Sequence, residues 1–153
     1  IDLELAAAFA KAQIASSNSL PTSGNAFVSV KDEDKDKIVP LCRNLVSLGF
    51  SIVSTKGTND HLKANGIVSK LVNKVKDGNG NIVDLLKNRE IDILVNTTST
   101  KKEILESFSI RRTALTKQVP YFTTIAGALA AISAIEYLKE GIINVRPLQE
   151  YFK

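Results

Sequence analysis

Apolar positions follow two different periods along the chain. Short apolar or alternating runs at 26–30, 50–54, 68–72, 91–96 and 120–123 predict five strands. Helix-like spacing fills the intervals. Residues 2–15, "DLELAAAFAKAQIA", predict a helix capped by Asp2, with Leu5, Ala8, Phe9 and Ala12 on one face. Residues 34–48 carry Ile38, Leu41, Leu45 and Leu48 on one side and end at Gly49. Pro40 lies within them, so this helix either starts late or kinks. Short helices are expected at 60–65, stopped by Gly66, and at 82–88. A broad helix is expected over 101–117, with a candidate break near 107–109, and a last long one over 125–139, stopped by Gly141. The tail "NVRPLQEYF" is a candidate edge element.

The polar stretch "SSNSLPTSGN" at 16–25 reads as a linker, and "KDGNGN" at 76–81 as a turn-rich loop. The expected organisation is therefore a helix at 1–15 that serves an inter-domain junction, a linker at 16–25, and a domain at 26–153. Strands that alternate with helices predict an α/β fold in three layers: a five-stranded parallel sheet flanked by helices. Right-handed crossovers then bring every strand-to-helix loop to one edge of the sheet.

Composition narrows the classes. The chain has 153 residues, 44% hydrophobic and 24% charged, which fits one folded domain with its own core. The net charge of +4 is a mild anion bias, without the basic stripe and interleaved aromatics of a nucleic-acid binder. No apolar run reaches the roughly 20 residues of a membrane helix. A single cysteine, Cys42, excludes a disulfide framework, suits a reducing cytoplasm and is expected in the core. The chain opens on Ile1 without a methionine, which reads as a piece of a larger protein.

Ligands of such sheets bind beyond the carboxyl ends of the strands. The residues that follow the five predicted strands are Lys31 and Lys35; Thr55, Lys56, Gly57 and Thr58; Asn73 and Lys74; Asn96, Thr97, Thr98 and Ser99; and Thr123 and Thr124. Hydroxyls, amides and ammonium groups dominate, and that set suits an oxygen-bearing anion such as phosphate. "STKGT" at 54–58 is the centre of this reading: donors around a glycine that lets backbone approach closely. Any one of these loops also reads as ordinary helix capping.

Catalytic chemistry is sparse. His61 is the single histidine, and neither a Ser-His-Asp nor a Cys-His arrangement can be built without it. No His/Cys/carboxylate cluster has metal-ligand spacing, no strand tip carries paired carboxylates, and "TKGT" lacks the spacing of a P-loop. The charge run "KDEDKDK" at 31–37 reads as a solvated helix start, and Arg111–Arg112 fit either surface charge or a contact with another domain.

Longer motifs carry a resemblance. "FVSVKDEDK", "LGFSIVSTKGT", "LVNKVKDGNGNIVDLLKN", "VNTTS", "SIRRTAL", "VPYFTTIAGALAAISAIE" and "LQEY" resemble, in order and over nearly the whole chain, the C-terminal regulatory domain of the carbamoyl-phosphate synthase large subunit, bacterial type. "AAAFAKAQ" resembles the segment that joins it to the preceding ATP-grasp unit. The resemblance implies a methylglyoxal-synthase-like fold and a domain that is not itself catalytic. It implies a nucleotide effector, UMP as inhibitor and IMP in some members, held by Ser29, Lys35, Thr55, Thr58, Asn73, Lys74, Val75, Asn96 and Thr98. Thr55, Thr58, Lys35 and Lys74 would hold the phosphate, and Asn96 and Thr98 would address ribose and base. It further implies a share of an ornithine site from Glu106, Tyr121 and Thr123, with Glu106 standing where an aspartate is usual. No cofactor is implied in this domain. The parent cytoplasmic enzyme would use ATP with Mg or Mn, with K as a further candidate, to make carbamoyl phosphate for pyrimidine and arginine synthesis. Its partners would be the ATP-grasp units of the same chain and a small glutaminase subunit, with an oligomer of the full enzyme as a further candidate.

Two enzyme families share the strand-TxGT turn and are the alternatives. Methylglyoxal synthase needs catalytic aspartates and a histidine, with a Gly-Gly-Asp motif near "NKV". The inosinate cyclohydrolase domain should carry Lys-Thr-Leu-His-Pro where this chain has "NKVKDGNGN". A variant regulatory domain that binds N-acetylglutamate uses a tryptophan, and this chain has none.

Overall fold

The computed structural model describes residues 1–73, 80–141 and 143–152. Helix α1 (Leu5–Ala15) precedes an alternating series: β1 (Gly24–Ser29), α2 (Lys35–Ser47), β2 (Phe50–Ser54), α3 (Lys56–Ala64), β3 (Ser69–Leu71), α4 (Ile82–Lys87), β4 (Ile93–Asn96), α5 (Lys101–Thr116), β5 (Tyr121–Phe122) and α6 (Ile125–Lys139). The five strands form one parallel sheet in the order β3-β2-β1-β4-β5.

Alternation along the strands divides the core into two layers. Ala26, Val28, Ile52, Ile93 and Val95 point to one face, against Ile38, Leu41 and Leu45 of α2 and Ala131, Ile132 and Ile135 of α6. Phe27, Val53 and Leu94 point to the other, against Ile82 and Leu86 of α4 and Ile110 and Ala114 of α5. The three-layer α/β architecture is thus the one expected. Cys42 lies in the first layer, where burial pushes its thiol up to about 12. Among the described residues no helix is long and apolar enough to cross a membrane.

Several boundaries differ from the sequence expectations, each for a local reason. Helix α1 starts at Leu5, and Asp2 does not cap it: its carboxylate accepts from Leu3 N–H at 2.7 Å and pairs with Lys11. That pairing holds the Asp2 carboxyl below its ordinary value. The inward positions of α1 are Ala7 and Ala10, with Phe9 at the margin, 6.4 Å from the Phe122 ring; Leu5 faces out. Small residues on α1 and α6 let the two helices approach closely, so the contact follows alanines rather than the largest side chains. The expected linker ends early, because Gly24 and Asn25 already pair with Phe50 and Ser51.

Pro40 is accommodated inside a continuous α2 on its exposed face, where the carbonyl deprived of a donor is open to water. Helix α5 runs unbroken through Ser107–Ser109, since Ser107 is buried with Ile110 and Ala114 on its inner face. The tail forms a 3-10 turn at Leu148–Phe152 and not an edge strand; the Tyr151 hydroxyl donates to Ile1 O at 3.1 Å.

Candidate functional site

The strand order reverses at β1. The chain proceeds outward through β2 and β3, then returns to place β4 on the other side of β1. Crevices beyond the carboxyl ends of strands form at such a reversal. Here the ends of β1, β2 and β4, with α5, enclose a cleft of about 560 Å³. That volume is in the range of small-molecule sites.

One end of the cleft is built at the start of α3. The helix begins at Lys56, four residues earlier than expected, so Lys56, Gly57 and Thr58 are its first turn and not a loop. Thr55 is the N-cap in extended conformation, but its side chain does not cap; Thr55 Oγ1 lies 2.9 Å from Ser29 Oγ across the β1–β2 seam. Among the described residues the first-turn amides therefore keep no side-chain acceptor. Three other helices that follow strands or loops at this edge are capped by their own side chains. Asn81 accepts from Val83 N–H for α4, Thr100 from Glu103 N–H for α5, and Thr124 from Gly127 N–H for α6. The capping reading is correct for those three starts and fails for α3; α2, too, has no side-chain cap from its N-cap residue Asp34.

Thr58 is buried, and its Oγ1 accepts the Val30 N–H at 3.2 Å. The missing side chain at Gly57 leaves room above the helix start: a Cβ there would lie 3.5 Å from Lys35 Nζ. Lys35 Nζ is 2.7 Å from Asp32 Oδ1, but that carboxylate is almost fully exposed and free to swing away. An ammonium, the positive end of a helix and the side chains of Thr55 and Thr58 thus line one cleft, a set of groups suited to an anion.

The other end is built by β4 and α5. Asn96, 3% exposed, finds no hydrogen-bond partner for its Nδ2 among the described residues. Thr97 Oγ1 accepts the Lys31 N–H at 3.1 Å, while Thr97 N–H donates to Ser29 O at 3.1 Å. Thr98 Oγ1 accepts from Arg111 Nη2 at 3.2 Å. Ile82 and Ile110 supply apolar wall. A buried amide donor without a protein acceptor costs about 1–3 kcal/mol unless a ligand or water satisfies it.

Of the residues expected to bind nucleotide, Ser29, Lys35, Thr55, Thr58, Asn96 and Thr98 line this cleft. Asn73 does not: it is exposed and bridges to Asn81 beyond the end of β3. Lys74 and Val75 lie outside the described residues, as does most of the "KDGNGN" loop. Of the second group, Glu106 lines the cleft, whereas Tyr121 and Thr123 are exposed at β5 and do not. The run 31–37 is not a solvated helix start alone, because Lys31, Asp32, Glu33 and Lys35 line the cleft and Asp34 is buried. His61 is partly covered, with Nε2 at 3.2 Å from Asp36 Oδ1. Among the described residues no group of three His, Cys, Asp or Glu side chains is placed to hold a metal ion.

Arg111 is the residue whose place sequence reasoning missed. Only the β4–α5 crossover brings helix position 111 beside Thr98. The same crossover puts Ser107 and Ile110 on the cleft. Their spacing with Ala114 is the available signal, since it marks the inner face of α5.

Fold and cleft together define an α/β domain of the methylglyoxal-synthase-like kind. Residues 37–123 match the MGS-like domain family, and the chain belongs to it. Its curated relatives include the carbamoyl phosphate synthase large chain of Mesorhizobium japonicum, 47% identical over 99% of this chain. That of Myxococcus xanthus is 49% identical over 97%. The carbamoyl phosphate synthase large chain, C-terminal section, of Methanopyrus kandleri is 45% identical over 100%. The chain spans 13%, 14% and 28% of the lengths of these three relatives. In three dimensions it is similar to methylglyoxal synthase from Elizabethkingia anophelis, with a TM-score of 0.55, 16% identity, and coverage of 88% of this chain and 93% of that one. At that identity the likeness concerns the fold.

Proposed function

We propose that the chain is the effector-binding domain of a carbamoyl-phosphate synthase large chain, and that it holds a nucleoside monophosphate in the cleft at the β1 reversal. UMP is the proposed inhibitor and IMP a second ligand of the same cleft. The observation that carries this reading is the start of α3, uncapped by Thr55, beneath Lys35, in one cleft with an Asn96 Nδ2 that has no partner among the described residues. The phosphate would sit on the first turn of α3, with Thr55, Thr58 and Lys35 around it. Lys74 would add a second ammonium from outside the described residues. Ribose and base would extend toward Asn96 and Thr98. An effector bound here controls remote chemistry only through different affinities for two states of the whole enzyme.

The rest of the large chain would supply the ATP-dependent synthesis and the contact with a glutaminase subunit. Helix α1 is the proposed junction to the preceding ATP-grasp unit, for which the exposed Leu3 and Leu5 offer contact surface. Ornithine would be held at the β5 edge, by Tyr121 and Thr123, only together with groups from another domain.

The alternative is a phosphate-eliminating enzyme like methylglyoxal synthase. Saturating UMP should raise the thermal midpoint of the chain. At a hundred times Kd the stabilisation is about 2.7 kcal/mol, or roughly 5–10 °C for a domain of this size. Dihydroxyacetone phosphate should release phosphate no faster with the chain than without it. Turnover of dihydroxyacetone phosphate that is lost in Lys35→Met, with no midpoint shift from UMP, would establish the enzyme reading instead.

A further inference from the structure

The two ends of the chain meet. In the 3-10 turn at Leu148–Phe152 the Tyr151 hydroxyl donates to Ile1 O at 3.1 Å, across 150 positions of sequence. Residues 1–4 belong to no helix or strand, yet they are held from two sides. From α1, Lys11 pairs with Asp2, and both side chains are largely covered, 18% and 16% exposed. The Asp2 carboxylate raises the Lys11 ammonium above its ordinary value, and Tyr151 adds to the effect, which places the turn beside that pair.

The segment so fixed presents apolar side chains to the outside. Ile1, Leu3 and Leu5 are 77%, 71% and 71% exposed, and Leu148 is 51% exposed. In a 3-10 helix side chains three positions apart lie on one side. Leu148 therefore shares a side with Tyr151, the residue that meets Ile1. Large apolar side chains held in a fixed arrangement and left uncovered mark a contact face.

What covers this face follows from attachment. The chain spans a minor part of each relative named above, and on the reading given under the proposed function an ATP-grasp unit is joined at Ile1. A unit tethered there meets the surface around Ile1 at the high effective concentration of an intramolecular partner. Any free protein would have to displace it.

We propose that the turn at Leu148–Phe152 is part of the docking surface for the unit that precedes Ile1: Tyr151 clasps residues 1–4, and Leu148 joins Ile1, Leu3 and Leu5 in one apolar face that this unit covers. The inference rests on the large-chain reading and extends it, since α1 is no longer the whole junction. The tail closes the other side of it.

The test is hydrogen exchange of this chain alone against the full-length large chain that contains it. Amides of Leu148–Phe152 and of residues 2–5 should exchange about tenfold or more slowly in the large chain. Leu148→Lys in the large chain should return both segments most of the way to the rates of the chain alone. Tyr151→Phe, which removes only the hydroxyl, should do so for residues 2–5. Neither variant should change the UMP affinity of the chain alone, because the cleft lies elsewhere. Equal rates at Leu148–Phe152 in the two proteins, with residues 2–5 protected, would keep the α1 junction and overturn the part given to the tail. Protection of neither segment would overturn the junction reading as well. Protection that survives both Leu148→Lys and Tyr151→Phe would come from contacts elsewhere and overturn the proposal. Protection that appears in the chain alone as its concentration rises, with a dimer mass by light scattering, would assign the face to a second copy and overturn it too.

Discussion

Lys35→Met is expected to lower the affinity of the chain for UMP roughly ten- to hundredfold and to leave its stability almost unchanged. A hydrogen bond to a charged group contributes about 1.5–3 kcal/mol, which sets the factor. Lys35 Nζ stands over Gly57 at the start of α3, where the phosphate would sit. Among the described residues its one ion pair is to Asp32, whose side chain is 90% exposed. Exposed pairs contribute little to folding, so the urea midpoint should move by no more than its error. The affinity for uridine, which lacks the phosphate, should be the same in both proteins. Equal affinity of Lys35→Met and the unaltered chain for UMP would remove Lys35 from the site.

Gly24→Ala is expected to be the most destabilising single-methyl addition in the first half of the fold, by about 3 kcal/mol or more. A Cβ at Gly24 would lie 2.1 Å from Asp92 Oδ2, and the residue has φ +120. Asp92 Oδ2 accepts the Asn25 N–H at 2.7 Å, so it cannot retreat without losing that bond. Strained backbone costs on the order of 1–3 kcal/mol, and the lost charge-assisted bond about as much again. Gly66→Ala is the control: φ is +75, with nothing within 4 Å of the new methyl. It should cost only the left-handed penalty, about 1 kcal/mol. Urea unfolding of the two variants separates the cases. Equal losses would mean that the Asp92 contact does not hold the start of β1.

The same glycine shows where reading from sequence stops. Gly24 sits in a polar Ser/Pro/Gly stretch, and nothing local distinguishes a linker from the first residue of a strand. The pairing that makes it a strand comes from Phe50, 26 positions along the chain. Strand interiors were legible because Phe27, Val28, Ile52, Val53, Leu94 and Val95 face helices on both sides and leave continuous apolar runs. Helix α1 was legible as a helix but not in its orientation. It is apolar nearly all round, so no stripe marks the side that meets α6, and Ala7 and Ala10 give no signal by size.

For the cleft, residue type at the strand ends sufficed to find Lys35, Thr55, Thr58, Asn96 and Thr98. It did not separate a site from a cap. Thr124 and Thr55 look alike in sequence, each following a strand and preceding a glycine-containing helix start. Thr124 accepts the Gly127 N–H, whereas Thr55 lies against Ser29 and leaves α3 without a side-chain cap. That difference depends on β1 and β2 being neighbours, a fact of topology. Helix α3 was expected to start late because Gly57 and two β-branched threonines disfavour a helix interior. In the first turn they carry little of that penalty, and the Asn59 N–H to Thr55 O bond of 2.8 Å closes the turn.

The most direct measurement is a calorimetric comparison of UMP with uridine on the same chain. The two differ only by the phosphate. If that group sits on the uncapped start of α3 beneath Lys35, uridine should bind about a hundredfold more weakly or not measurably, since at least two charge-assisted hydrogen bonds are lost. Equal affinities for UMP and uridine would contradict the assignment of this helix start as the phosphate site.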